Sequence, residues 1–115
     1  MGQLRVEDYD AIIFIGGPGA IEYVANPAAL DLAREAVRQR KVLAAIDTAP
    51  TILANAGVLR GVRATSFLSE RNILIQAGAI YTGIDVEQDR LIITSSGPAA
   101  SILFGRAVAD VLAGR

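Results

Sequence analysis

The sequence contains no cysteine and no histidine among its 115 residues. The absence of cysteine excludes disulfide bonds, thiolate catalysis and cysteine-based metal sites. The absence of histidine removes the side chain that proteins use most often as a general base and as a metal ligand. Catalysis by a thiolate or an imidazole is therefore excluded, and no cofactor is predicted.

Aromatic residues and net charge are also scarce. Aromatic side chains make up 5% of the residues and hydrophobic side chains 52%, so Ala, Val, Ile and Leu must build the core. This composition is typical of a parallel sheet covered by helices. The formal net charge of −1 argues against nucleic acid or an anionic membrane as a partner. No apolar run reaches the ~20 residues that a membrane-spanning helix needs, and the N-terminus lacks a signal-peptide pattern. The sequence therefore predicts a cytoplasmic protein with one domain, residues 1–115.

Apolar runs and chain breakers predict alternating strands and helices. Continuous apolar segments predict strands at Ala11–Ile15 and Val42–Ile46. Asn26 and Pro27 predict the start of a helix that runs to about Arg40, and Pro50 falls in the first turn of another helix. Weaker patterns predict a short strand at 62–67, a helical turn at 69–78, β segments at 80–82 and 85–87, a hairpin turn at 88–90, a strand at 91–95 and a last helix at 99–113. This order points to a doubly wound α/β fold, in which helices cover both faces of a mostly parallel sheet.

The stretch from residue 42 to residue 57 is the most informative one for function. A strand that turns at once into a helix places the side chain of Asp47 at the carboxyl edge of the sheet, beside free helix amides. Proteins of the α/β class place nucleophiles and anion sites at such an elbow. Asp47 could act there as a nucleophile or a general base. Alternatively, Asp47 or Thr48 could cap the helix that begins near Ala49, and the residues alone leave both interpretations open.

A glycine-rich loop follows the first strand directly. Gly16, Gly17 and Gly19 lie around a proline, and three glycines exceed what a tight turn requires. Their amides could form part of an oxyanion hole or bind a phosphate. Gly17 and Gly19 followed by Glu22 also form a weak match to a dinucleotide-binding loop, in which Asp47 would meet a ribose. The third glycine of that motif is missing, so nucleotide binding is the lower alternative.

Four segments together resemble the ThiJ/PfpI superfamily, whose members have a flavodoxin-like fold of the class I glutamine amidotransferase type. They are residues 8–20 (DYDAIIFIGGPGA), 26–36 (NPAALDLAREA), 41–61 (KVLAAIDTAPTILANAGVLRG) and 91–100 (LIITSSGPAA). Members of this family place a cysteine nucleophile at the strand–helix elbow, and the matching position here is Asp47, followed by Thr48. The resemblance also implies that Gly16 and Gly17 contribute backbone to the oxyanion region.

The resemblance implies two departures from the family pattern. Aspartate, a far poorer nucleophile, replaces the cysteine, and the first strand–helix–strand portion, with the glutamate that contacts the cysteine, has no counterpart. We therefore expect a domain without family-type thiol hydrolase activity and with a binding, stress-related or structural role, in which a small polar ligand binds at the elbow. The alternative is a hydrolase or lyase of altered chemistry that uses Asp47 with an oxyanion site at Gly16 and Gly17. Because the sheet would open on an inner strand, we also expect a homo-oligomer or a partner chain that completes the sheet.

Overall fold

The computed structural model describes residues 6–16 and 24–114. Its strands are β1 (Ala11–Ile15), β2 (Val42–Ile46), β3 (Arg63–Ala64), β4 (Ile80–Tyr81), β5 (Val86–Asp89) and β6 (Ile92–Ser95). Its helices are α1 (Pro27–Arg38), α2 (Pro50–Asn55), α3 (Arg71–Gln76) and α4 (Ser101–Ala113), and short 3-10 turns lie at Val6–Asp8, Leu68–Glu70 and Pro98–Ala100. Among these residues, no helix has the length and apolarity needed to cross a membrane.

A four-stranded sheet in the order β1-β2-β6-β5 forms the centre of the fold. Strands β1, β2 and β6 run parallel, whereas β5 pairs antiparallel with β6. The register places Ile46 beside Ile15 on one side and Ser95 on the other, so the carboxyl ends of the three parallel strands meet at one edge. Strands β3 and β4 form a separate parallel pair. The predicted flavodoxin-like α/β fold, with its mostly parallel sheet, is confirmed.

Strand β2 is buried along its whole length, because helices lie on both faces of the sheet. Leu43 and Ala45 point into the core that contains the apolar residues of α1 and α2. Val42 and Ala44 point the other way, into a second core with Phe104 of α4. A strand covered on both faces has no solvent side, which explains why β2 is an unbroken apolar run instead of an alternating one.

Strand β1 is the edge of the sheet in the described part of the chain, since β2 is its only strand partner there. Ile12 and Phe14 pack against the α1 side. Ile13 and Ile15 lie on the opposite face and are 47% and 76% exposed, because α4 packs mainly over β2, β5 and β6. The apolar edge that the sequence predicts is therefore present.

Helix α1 begins where the sequence indicates. The side-chain oxygen of Asn26 accepts hydrogen bonds from two amides of the first turn, at 2.9 and 3.2 Å, and Pro27 is the first helical residue. This cap satisfies donors that a helix start otherwise leaves without partners. The helix ends at Arg38, short of the predicted end near Arg40, because Arg40 adopts a positive φ of 59°.

The strand predicted at residues 62–67 is wrong in extent, because only two of its residues pair with β4. The following residues bind the main sheet through single hydrogen bonds. The Thr65 amide donates to Oγ1 of Thr94 at 2.9 Å, and the Phe67 amide donates to the carbonyl of Asp47 at 2.8 Å. The segment therefore supports the end of the sheet without extending it.

The predicted β-hairpin near residue 89 is confirmed, but its turn is shifted. Strand β5 continues to Asp89, which pairs with Ile92, so the two-residue loop consists of Arg90 and Leu91. The last helix likewise starts at Ser101, after a 3-10 turn, instead of at residue 99. Hydrophobic patterns do not fix such boundaries, since the hydrogen bonds of the turn decide them.

Candidate functional site

The elbow between β2 and α2 is a sharp turn in which Asp47 adopts a φ of 69°. This left-handed conformation is uncommon for residues other than glycine, although aspartate tolerates it better than most. Two hydrogen bonds hold it. The Asp47 amide donates to the carbonyl of Ser95 at 2.9 Å, and the Asp47 carbonyl accepts from the Phe67 amide at 2.8 Å. The neighbouring elements therefore fix the backbone in the strained conformation that displays a side chain at a nucleophile elbow.

The Asp47 carboxylate does not cap α2, so that interpretation of the sequence is wrong. The cap position is Ala49, which has no capping side chain, and the amides of Ala49, Thr51 and Ile52 donate to nearby backbone carbonyls. Within the described residues, the Asp47 carboxylate accepts no hydrogen bond. A Cβ atom placed on Gly97 would lie 3.7 Å from Oδ1 of Asp47, so the carboxylate faces the loop that follows β6.

Gly16 occupies the end of β1, in close contact with the elbow. A Cβ atom at this position would lie 2.5 Å from the Thr48 amide nitrogen, 2.7 Å from the Ile46 carbonyl oxygen and 2.7 Å from Oγ1 of Thr48. The Gly16 amide itself donates to the Ile46 carbonyl at 3.0 Å. This donor is therefore engaged in the sheet, and Gly16 allows β1 to approach the elbow.

The remaining loop glycines, Gly17 and Gly19, lie outside the described residues, as does Glu22. The oxyanion interpretation of the loop thus stays a prediction for those two amides. The nucleotide alternative depends on the same residues and also stays a prediction. Thr48 is half-buried, and its hydroxyl faces the end of β1.

A cavity of about 360 Å³ opens at the elbow. Its lining residues are Ile15, Gly16, Ile46, Asp47, Pro98, Ser101 and Phe104. Asp47 is the one ionisable residue in this set, and the Ser101 hydroxyl is the other polar side chain. The remaining side chains are apolar, so the cavity offers one carboxylate and one hydroxyl against apolar walls. Such a combination suits a small ligand that is oriented by a few polar contacts.

Catalysis by Asp47 would need a second acid or base, such as Glu22 or Glu70. Glu22 lies outside the described residues, and Glu70 is engaged elsewhere. Glu70 accepts hydrogen bonds from the hydroxyls of Thr51 at 2.8 Å and Ser69 at 2.7 Å, and it does not line the cavity. In the described parts of the chain, no group of three or more acidic side chains is placed to hold a metal ion. Among the described residues, Glu70 therefore does not assist Asp47 at the cavity.

The segment after β6 contributes to the site, although no sequence pattern predicted this. Pro98, Ser101 and Phe104 form one wall of the cavity, and the Ser95 carbonyl holds the Asp47 amide. The signal that could have identified them is the parallel pairing of two apolar strands, since residues that follow neighbouring parallel strands share the carboxyl edge of the sheet.

Comparison with known proteins agrees with this geometry. The model of the DJ-1/PfpI family matches residues 1–111. A protein of Methanocaldococcus jannaschii is 40% identical over 102 residues, which cover 86% of this chain and 50% of that protein. Deglycase PfpI of Pyrococcus furiosus is 30% identical over 96 residues, which cover 84% of this chain and 58% of the deglycase. The chain thus spans about half the length of these relatives.

Solved structures show the same fold. A ThiJ/PfpI domain protein from Brachyspira murdochii superposes with a TM-score of 0.97 at 26% identity, covering 99% of this chain and 66% of that one. Drosophila melanogaster DJ-1beta superposes with a TM-score of 0.85 at 32% identity, covering 96% of this chain and 60% of that one. Nearly the whole chain therefore follows the backbone of these proteins.

Proposed function

Because the chain belongs to the DJ-1/PfpI family, we propose that it binds a small ligand at the elbow and does not carry out thiol chemistry there. The observation that carries this proposal is the position of the Asp47 carboxylate, which lines a cavity and accepts no hydrogen bond within the described chain. The sequence has no cysteine that could replace Asp47 as a nucleophile. The role is binding, stress-related or structural, with the shape of the elbow retained.

The lining of the cavity indicates the class of ligand. Asp47 is half-buried, and a ligand that donates hydrogen bonds to its carboxylate would replace the water that the apolar walls partly exclude. The apolar walls, formed by Ile15, Ile46 and Phe104, favour a ligand with a compact apolar body. We therefore infer a small amine, amide or alcohol whose donor group contacts Asp47 and Ser101.

Benzylammonium and benzoate test this ligand class, since they share a ring and differ in the sign of their charge. We expect isothermal titration calorimetry to show binding of benzylammonium and not of benzoate. Asp47→Asn should weaken the binding of benzylammonium about tenfold, because it replaces a charge-assisted hydrogen bond of about 1.5–3 kcal/mol with a neutral one of about 0.5–1.5 kcal/mol. Asp110→Asn on the exposed side of α4 is the matched control. Equal affinity in the Asp47→Asn variant would contradict the proposed contact.

An enzyme of altered chemistry is the second candidate, because the positive φ of Asp47 displays the carboxylate as an elbow displays a nucleophile. In this candidate, Asp47 is the nucleophile or general base, and the amides of Gly16 and Gly17 stabilise an oxyanion. Three observations weigh against it. The sequence has no histidine, the Glu70 carboxylate is engaged with two hydroxyls, and the Gly16 amide is engaged in the sheet.

We also propose that residues 1–115 form one domain and that this domain self-associates through β1. The two cores share strand β2, which supports a single folding unit. Exposed Ile13 and Ile15 and the free edge of β1 in the described chain support an association that adds a strand there. A second copy of the chain, or another chain that supplies a strand, would cover both features. A cytoplasmic location stays a prediction from the sequence.

Ile13→Lys tests the self-association without changing a residue of the cavity. Light scattering after size exclusion should give a dimer or a larger assembly for the unmodified protein at micromolar concentration. The variant should be monomeric, because a lysine on an edge strand disfavours pairing with another chain. Ile84→Lys, at a residue that is similarly exposed but lies outside β1, should leave the assembly unchanged. A monomeric unmodified protein would rule out the proposed assembly.

A further inference from the structure

A second cavity, of about 510 Å³, lies at the amino-terminal edge of the sheet. Its lining consists of four cationic residues, one carboxylate and a set of apolar residues: Arg40, Lys41, Arg60 and Arg90; Asp89; and Val37, Val58, Val62, Leu91 and Ile92. Lys41 directly precedes β2, whereas Asp47 directly follows it. The length of an extended five-residue strand, roughly 17 Å, therefore separates this cavity from the elbow.

The cations of this cavity exceed its negative charge, although the whole chain has a net charge of −1. Asp89 accepts hydrogen bonds from the Arg63 amide at 2.9 Å and from Nε of Arg90 at 3.2 Å. These contacts hold the pKa of Asp89 below its ordinary value, so this carboxylate is ionised and already engaged. Lys41 and Arg60 have no ion-pair partner among the described residues. Their charges are available to an anion.

Two of the four cations stand at backbone positions that favour glycine, since Arg40 has a φ of 59° and Arg90 a φ of 58°. The Arg40 amide donates to the Val37 carbonyl at 3.1 Å, and the Lys41 amide donates to the Ala36 carbonyl at 2.9 Å. This is a Schellman C-cap, whose left-handed residue is usually glycine. Arg90 is the first residue of a two-residue hairpin loop, where a positive φ again favours glycine.

The coincidence of these two positions points to function. Backbone strain of this kind is unfavourable and persists where the surrounding structure imposes it, most often at functional sites. Here both strained residues line the same cavity, and both are arginines, which bind carboxylates and phosphates well.

We propose that this cavity binds a small organic acid. The acid group lies among the four cations, and its apolar body packs against the valines, Leu91 and Ile92. Charge alone does not account for the site, because a bare inorganic anion would leave the apolar lining residues exposed to water. Apolar contact alone does not account for the site either, because four of its lining residues are cations.

Octanoate is a suitable probe, with n-octanol and inorganic phosphate as comparators that keep only the apolar body or only the charge. We expect isothermal titration calorimetry to show that octanoate binds more tightly than either comparator. Lys41→Gln and Arg60→Gln should each weaken octanoate binding about tenfold, as expected for the loss of one charge-assisted hydrogen bond. Arg106→Gln, on the exposed side of α4 and away from both cavities, should leave the affinity unchanged.

Arg40→Gly and Arg90→Gly separate a binding role from a structural one, because they are expected to change stability and affinity in opposite directions. Each should raise the melting temperature by roughly 2–4 °C, since glycine relieves the strain, and each should weaken octanoate binding severalfold. The proposal is overturned if all four cavity variants bind octanoate as the unmodified protein does, or if n-octanol or phosphate binds as tightly as octanoate.

Discussion

Gly16→Ala is expected to destabilise the folded chain by about 3 kcal/mol, as expected when a well-packed site is overfilled against rigid neighbours. The added methyl group would lie 2.5 Å from the Thr48 amide nitrogen and 2.7 Å from the Ile46 carbonyl oxygen. Both atoms belong to the backbone of the elbow and cannot rotate away. Relief requires β1 to move, and this movement would also break the 3.0 Å hydrogen bond from the Gly16 amide to Ile46.

Gly105→Ala is the matched control, because a Cβ atom at Gly105 would meet nothing within 4 Å and the residue lies inside α4. This variant should be more stable than the unmodified protein by about 0.5–1 kcal/mol, since alanine is the better helix former. Urea unfolding followed by circular dichroism measures both changes. If the two alanine variants have the same free energy of unfolding, the close contact at Gly16 is not as described.

Thr94→Val should destabilise the fold by about 2 kcal/mol, although it preserves the shape of the side chain. Oγ1 of Thr94 accepts the hydrogen bond from the Thr65 amide at 2.9 Å, and both residues are buried. Without that oxygen, a buried amide is left without a partner, which costs about 1–3 kcal/mol. Among the described residues, the buried hydroxyl of Thr65 also has no hydrogen-bond partner, so Thr94→Val would add a second unsatisfied polar group to the same residue.

Thr94→Ser tests whether the hydroxyl is responsible, because serine keeps the oxygen and removes only a methyl group. We expect the serine variant to lose less stability than the valine variant in the same urea titration. Hydrogen exchange should show faster exchange of the Thr65 amide in the valine variant alone. A serine variant that is the less stable of the two would assign the effect to packing instead of to the hydrogen bond.

Long apolar runs allowed the centre of the fold to be predicted from the sequence. Strands β1 and β2 have the predicted bounds, and Asn26 caps α1 as expected. In each case the signal is local, because an unbroken apolar run indicates a strand of a parallel sheet and an Asn-Pro pair indicates a helix start. The short strand near residue 63 was overestimated, since its neighbours bind the sheet through side-chain and single backbone hydrogen bonds that no pattern reveals.

The candidate site was predictable in part. The strand–turn–helix pattern identified Asp47, but the local choice between a cap and a displayed side chain depends on a backbone angle. Aspartate adopts both conformations, so its identity did not decide between them. The arginines at positive φ were not predictable either, because glycine is the residue from which such turns are inferred.

The rate of methylglyoxal consumption by the purified protein tests the central claim most directly, namely that the elbow is retained while its thiol chemistry is absent. The measurement compares the unmodified protein, Asp47→Ala and a sample without protein. We expect the same background rate in all three, because an aspartate is a far poorer nucleophile than an activated thiolate. A rate above background that is lost in Asp47→Ala would contradict the account and would establish Asp47 as a catalytic residue.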